Sequence, residues 1–135
     1  MHVRLAFSSE AGKIVEIFRA NFPQDRLGYT IYASCGVESY IRDLIDHHDH
    51  GDSLWYVLVD DGEVQGFTEI RRGPQDVFVN HGYLDPSVRA PGVGTSLLYH
   101  GMAHARNAGQ TRAGLDVFDD NTSVRRGHRA LGFRE

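Results

Sequence analysis

Cysteine is almost missing from this chain. Cys35 stands alone among 135 residues, so no internal disulfide forms and the fold has to rest on its core. Proline is scarce as well, with four residues, and together with glycine it punctuates the sequence without gathering into a linker, a repeat or a low-complexity tract. No apolar run approaches the roughly 20 residues that a membrane-spanning helix needs, which excludes a membrane protein of that kind. The opening Met1-His-Val-Arg-Leu5 lacks the continuous apolar stretch of a secretory signal, and the reading is therefore cytoplasmic. Cations are in no surplus either: 14 Lys and Arg face 18 Asp and Glu, a net charge of −4. That balance argues against nucleic acid or an anionic membrane as partner. Any anionic ligand has to be held by a local device.

What is present is an ordinary globular composition, 41% apolar and 24% charged. At this length a single core removes about two thirds of the unfolded chain's surface from water, so one domain over residues 1–135 is expected. Alternation from Val3 to Phe7 suggests a first strand, and Ser8 and Ser9 are candidate caps for a helix carrying Ile14, Ile17 and Phe18 toward Pro23. A second helix places Tyr40, Ile41, Leu44 and Ile45 on one face. Ser53 to Asp60 and Glu63 to Ile70 are β-rich runs joined through Asp61-Gly62, a strong hairpin signal because glycine tolerates the positive φ of a tight turn. Asp76 to Leu84 continues the meander. The pattern then becomes helix (94–107), strand (112–117) and helix (121–131), a crossover that gives parallel pairing. The expected class is α/β in the α+β sense: a mixed sheet, antiparallel first and parallel after Leu84, with helices on both faces.

Most of the chemistry lies between Leu84 and Leu98. A strand ends at Pro86, a turn with Arg89, Gly92 and Gly94 follows, and a helix opens with Thr95, Leu97 and Leu98. Free amides at a helix N-terminus bind phosphate oxygens, with the helix dipole behind them and glycines allowing close approach. Arg89 adds a permanently charged donor fork. Pro91 has no N–H, so the cradle falls to the amides of Ala90, Gly92, Val93, Gly94 and Thr95. It is neither a P-loop nor a dinucleotide fingerprint, since no Gly-Lys-Ser/Thr follows and only two glycines are present.

Arg89-Ala-Pro-Gly92-Val-Gly94, preceded by Leu84-Asp-Pro86, resembles the Arg/Gln-x-x-Gly-x-Gly/Ala signature of the GNAT superfamily of acyl-CoA-dependent N-acyltransferases. The following segment is similar as well, with Leu115-Asp-Val117, Asn121 and Gly132-Phe133 in place, but with Val124 for the family's Ala and His128 for its Tyr. The resemblance runs from about Val79 to Phe133. It implies acetyl-CoA as cosubstrate, with the pyrophosphate at Arg89 and the Ala90 to Thr95 amides. The pantetheine arm would lie between Tyr83 and Leu84 on one side and residues 115–117 on the other, with Asn121 bonding to it; Asn121 read by itself is equally a helix N-cap. The implied reaction is direct transfer of an acetyl group to a primary amine of a small molecule or peptide, with no metal.

That chemistry requires a neutral amine, a polarised thioester carbonyl and a proton for the departing thiolate. His128 stands at the family's proton-donor position and can donate as imidazolium. For the base the candidates are Glu69, Asp76, Asn80 through water, and His81. Period-two alternation puts Asn80 and Gly82 on the face of Leu84 and His81 on the other, an order that a bulge would invert. Tyr29, Tyr32 and Tyr40 are candidates to line the amine pocket, while Trp55 and Tyr56 should divide, one to the core and one to a cleft or the surface. His47, His48 and His50 read as a helix C-terminus rather than a metal site, and His100 and His104 as a solvated helix face. An acyl-CoA-binding module with little catalysis is the competing reading, motivated by His128. The family usually continues with two further strands after Gly-Phe, so the C-terminal strands are expected to be missing or supplied by a second copy in a homodimer.

Overall fold

A computed structural model describes residues 1–48, 51–74, 76–88, 92–107 and 112–115, together with residues 126, 129, 132 and 134. Five strands, β1 (His2–Leu5), β2 (Ser53–Asp60), β3 (Glu63–Arg72), β4 (Asp76–Leu84) and β5 (Arg112–Leu115), lie side by side in chain order. The first four are antiparallel, and β5 joins β4 in parallel from Asp76↔Arg112 to Val79↔Leu115. The mixed sheet expected from the sequence is therefore present. The Asp61-Gly62 turn has φ of 51° and 77°, the doubly positive geometry whose twist matches that of the strands it joins.

Helices α1 (Ala11–Asn21) and α2 (Val37–Asp46) cover one face of the sheet, packing Ile14, Phe18, Val37 and Ile41 on Trp55, Val57, Val59 and Phe67. Helix α3 (Val93–Asn107) crosses the other face and packs Val93 and Leu97 on Leu58. Seven consecutive residues of β2 are buried as a result. Trp55 and Tyr56 are accordingly both interior, at 0% and 3% exposure. The expected division between core and surface fails because helices flank the sheet on both sides. Tyr40 departs from its expected face too: it is exposed, and Val37 takes its place in the core beside Ile41 and Ile45. At the start of α1 a short 3₁₀ turn, Ser8–Glu10, replaces a serine cap. Glu10 accepts from the Phe7 amide at 2.7 Å and from both terminal guanidinium nitrogens of Arg4, Nη1 and Nη2, at 2.8 Å.

Where α3 crosses β3, Gly101 lies so close to Ile70 that a β-carbon there would overlap the Ile70 δ-methyl. Ile70 is fully buried and cannot swing into solvent. Gly101→Val should therefore lift α3 from the sheet and cost about 1–3 kcal/mol, the range for overpacking a tight core. Thermal unfolding followed by circular dichroism would show a midpoint lowered by several degrees; an unchanged midpoint would mean that the helix has room to shift.

Candidate active site

The sheet's one irregularity on β4 builds the site. Glu69 faces His81, yet Ile70 faces Val79, so Asn80 is an extra residue in β4. Such a bulge turns successive side chains toward one side. Asn80 thereby leaves the face that simple alternation assigns to it and donates from Nδ2 to Glu69 Oε1 at 2.6 Å. His81 stays on the face opposite Leu84, as alternation predicts, with Nε2 3.5 Å from Glu69 Oε1. Ser53 on the neighbouring strand donates its hydroxyl to Glu69 Oε2 in a short hydrogen bond, and Arg71 Nε lies 3.4 Å from that same oxygen. Glu69 is 1% exposed, and these partners are what make a buried carboxylate tolerable.

His81 sits in an aromatic box. The rings of Phe18, Trp55, Phe67 and Tyr32 surround it at centroid separations of 5.4–5.7 Å. The Tyr32 hydroxyl meets His81 Nε2 at 2.8 Å. Tyr32 is itself fixed: its ring stacks on Phe18 at 3.7 Å, its carbonyl accepts from Arg19 Nε at 2.8 Å, and its amide donates to Thr30 Oγ1. Burial lowers the His81 pKa to about 4, against the pull of the Glu69 carboxylate and with help from the Arg71 cation. The imidazole is thus neutral at physiological pH. Burial, reinforced by the Glu69 charge, pushes the Tyr32 phenol far above its ordinary value, so its proton stays available for hydrogen bonding.

At the C-terminal end of β4 the main chain changes partners. Asp85 N–H still bonds to Gln65 O at 2.8 Å, whereas the Leu84 carbonyl, turned away from β3, accepts from Asn21 Nδ2 at 2.7 Å. In an antiparallel ladder the two polar groups of a residue point the same way, so the Leu84 N–H also faces away from β3. Among the described residues, β5 pairs with β4 only as far as Val79, one residue before the bulge. Tyr83 is partly buried against Phe18 and Phe22. Just beyond Leu84, Gly92 has φ of +80° and precedes α3, whose first amides belong to Val93, Gly94 and Thr95. The Ser96 N–H closes the first turn onto Gly92 O at 2.9 Å, which leaves the three preceding amides without an intrahelical acceptor. Those donors, with a glycine on either side of Val93, fit an anion in close approach.

The structure thus brings together Glu69, Asn80 and His81 from the predicted set and adds Tyr32, one of the three tyrosines proposed for the amine pocket. Tyr29 is 89% exposed and Tyr40 is also exposed. Asp76 begins β4, on the far side of the bulge from Leu84. Arg89, Ala90, Asn121 and His128 lie outside the described residues. His48 Nε2 accepts from the Trp55 amide at 3.1 Å, and His47 Nδ1 meets the Asp43 carbonyl at 2.6 Å, so both serve local backbone structure. Arg71 had no sequence signal beyond lying two residues from a candidate carboxylate, and Ser53 had none. Ser53 reaches Glu69 only through strand register.

Residues 13–133 match the family described as the acetyltransferase (GNAT) family. Among curated proteins none matches the chain. Of solved structures, the PaiA N-acetyltransferase of Thermoplasma acidophilum in complex with coenzyme A superimposes with a TM-score of 0.85 at 15% identity, over 98% of this chain and 89% of that one. AAC(6')-Iy in complex with the bisubstrate analog CoA-S-monomethyl-acetylneamine gives 0.79 at 17% identity, over 99% and 90%. The ribosomal-protein-alanine N-acetyltransferase of Brucella melitensis biovar Abortus 2308 gives 0.73 at 14%, over 100% and 94%.

Proposed function

The chain belongs to the acetyltransferase (GNAT) family, and from that premise we propose that it transfers the acetyl group of acetyl-CoA directly to a primary amine of a small molecule or peptide in the cytoplasm. The observation that carries this reading is the cluster of His81, Asn80, Glu69 and Tyr32 at the bulge of β4, the strand that leads to the anion-binding turn. Arg89 and the amides of Ala90, Gly92, Val93, Gly94 and Thr95 take the pyrophosphate. Tyr83 and Leu84 flank the pantetheine arm, Asn121 bonds to it, and the outward Leu84 N–H polarises the thioester carbonyl.

His81 acts as the base. In the tautomer this requires, Nε2 carries the ring hydrogen and donates it to the Tyr32 hydroxyl oxygen, so Nδ1 is the nitrogen left to accept the amine proton, and the nearby Glu69 charge offsets the imidazolium that forms. The amine lone pair attacks the carbonyl carbon, the new C–N bond forms, the C–S bond breaks, and the sulfur leaves with a proton from His128. The amine's proton stays on His81 until product departs.

Acetyl-CoA titration by calorimetry, combined with a thiol-release assay over a panel of amines, tests the proposal. Binding with turnover is the expected result. Binding without turnover on any acceptor would favour an acyl-CoA-binding module, and absence of binding would end both readings.

A further inference from the structure

We propose that Arg71 binds a carboxylate on the acceptor, so that the substrate class is amines bearing a carboxylate within a few bonds of the nitrogen, as amino acids do. This inference rests on the acetyltransferase reading and goes beyond it.

Direction along β4 sets the approach. The anion-binding turn lies past Leu84, so the cosubstrate occupies the stretch from Leu84 back to the bulge. The acceptor then comes from beyond Asn80, where β4 continues to Phe78. There Arg71, Phe78 and Gly114 are register partners across β3, β4 and β5. Arg71 is two residues from Glu69 on β3, hence on the same face as Glu69 and His81. Phe78 is partly buried beside Gly114, whose missing side chain keeps the floor low: a β-carbon there would lie 3.4 Å from the Phe78 ring.

Arg71 is held by one side only. Its Nε rests 3.4 Å from Glu69 Oε2, while the side chain is 50% exposed. Among the described residues neither Nη donates a hydrogen bond. Glu69 contributes no exposed negative charge, because it is buried and bonded by Ser53 and Asn80. His81 is neutral. The exposed charge of this cluster is therefore a planar cation with its two outer nitrogens open, the geometry that pairs with a carboxylate in two parallel hydrogen bonds. Arg71 Nε and His81 Nε2 both lie within 3.5 Å of the one Glu69 carboxyl group, so anchor and base are near neighbours. The same charge disfavours polycationic acceptors.

The test is thiol release from acetyl-CoA with α- and ω-amino acids, each paired with its carboxamide, on the intact chain and on Arg71→Gln and Arg71→Lys, with acetyl-CoA binding measured in parallel. The carboxylates should be preferred by at least ~10-fold in kcat/KM, and Arg71→Gln should erase that acid-over-amide ratio mainly through the KM of the acids, a readout that a change in rate common to acid and amide does not move. Arg71→Lys should restore part of it. Three results would overturn the inference: no turnover of any carboxylate-bearing amine, equal turnover of acids and amides, or equal loss of both in Arg71→Gln, which would make Arg71 only a counter-ion to Glu69. If acetyl-CoA binds and only neutral amines react, the carboxylate site falls while the acetyltransferase reading stands. Absence of acetyl-CoA binding removes both.

Discussion

Replacing Gly92 by glutamate should lower the affinity for acetyl-CoA by at least about 100-fold, some 2.7 kcal/mol. Two effects combine. At φ of +80° a residue with a β-carbon is strained, by about 1–2 kcal/mol. A carboxylate is also introduced beside the Val93, Gly94 and Thr95 amides, where it competes for the donors and repels the phosphates. Gly92→Ala separates the two contributions. No heavy atom lies within 4 Å of a β-carbon built at this position, so alanine adds strain without collision or charge. Calorimetric titration should rank the affinities intact chain, then alanine, then glutamate. Equal affinity for the glutamate variant would place the pyrophosphate elsewhere.

His81→Ala should reduce turnover by about 10²–10⁴-fold, the range for loss of a positioned general base, with little change in acetyl-CoA affinity. The side chain lies three residues, roughly 10 Å, back along β4 from Leu84 and hence away from the phosphate cradle. The pH profile gives an independent check. Because the neutral imidazole is the active form and burial holds its pKa at about 4, the acid limb of kcat/KM due to this group should fall near pH 4. An ordinary histidine would put it near ~6.5. Stability shifts with the same group. Between those two values the unfolded chain binds a proton that the folded chain does not, so stability is full above about pH 6.5 and declines as pH falls toward 4. In His81→Ala the stability curve should lose that slope. A variant with unaltered rate and profile would leave His81 as a packing residue inside its aromatic box.

Much of the architecture was legible in local pattern. Alternation in the first strand, the β-rich runs of β2 and β3, the Asp61-Gly62 turn and the helical spacing of Ile14, Ile17 and Phe18 each reflect forces acting over a few residues, and the observed elements follow them. The glycine-bounded start of α3 was legible for a similar reason: Gly92 and Gly94 sit at a strand-to-helix junction, and a helix start exposes its amides whatever surrounds it. Tyr56 shows where that reasoning stops. Its burial depends on α3 lying over a face that alternation alone leaves to solvent.

The cluster around Glu69 shows the same limit more sharply. Glu69, Asn80 and His81 were visible as candidates, but not as a unit, because one extra residue in β4 decides which face Asn80 joins and no residue type announces it. Tyr32 is 49 positions from His81 and Ser53 is 16 from Glu69, separations bridged by helix packing and strand register.

By itself the sequence determined a mixed sheet flanked by helices and a glycine-bounded helix start after β4, since both follow from short-range periodicity and backbone geometry. Tertiary structure alone decided that a buried carboxylate, a neutral histidine and a tyrosine hydroxyl meet beside a half-exposed arginine. The low pKa of His81 comes from desolvation by rings on four different elements, and only the folded chain assembles them.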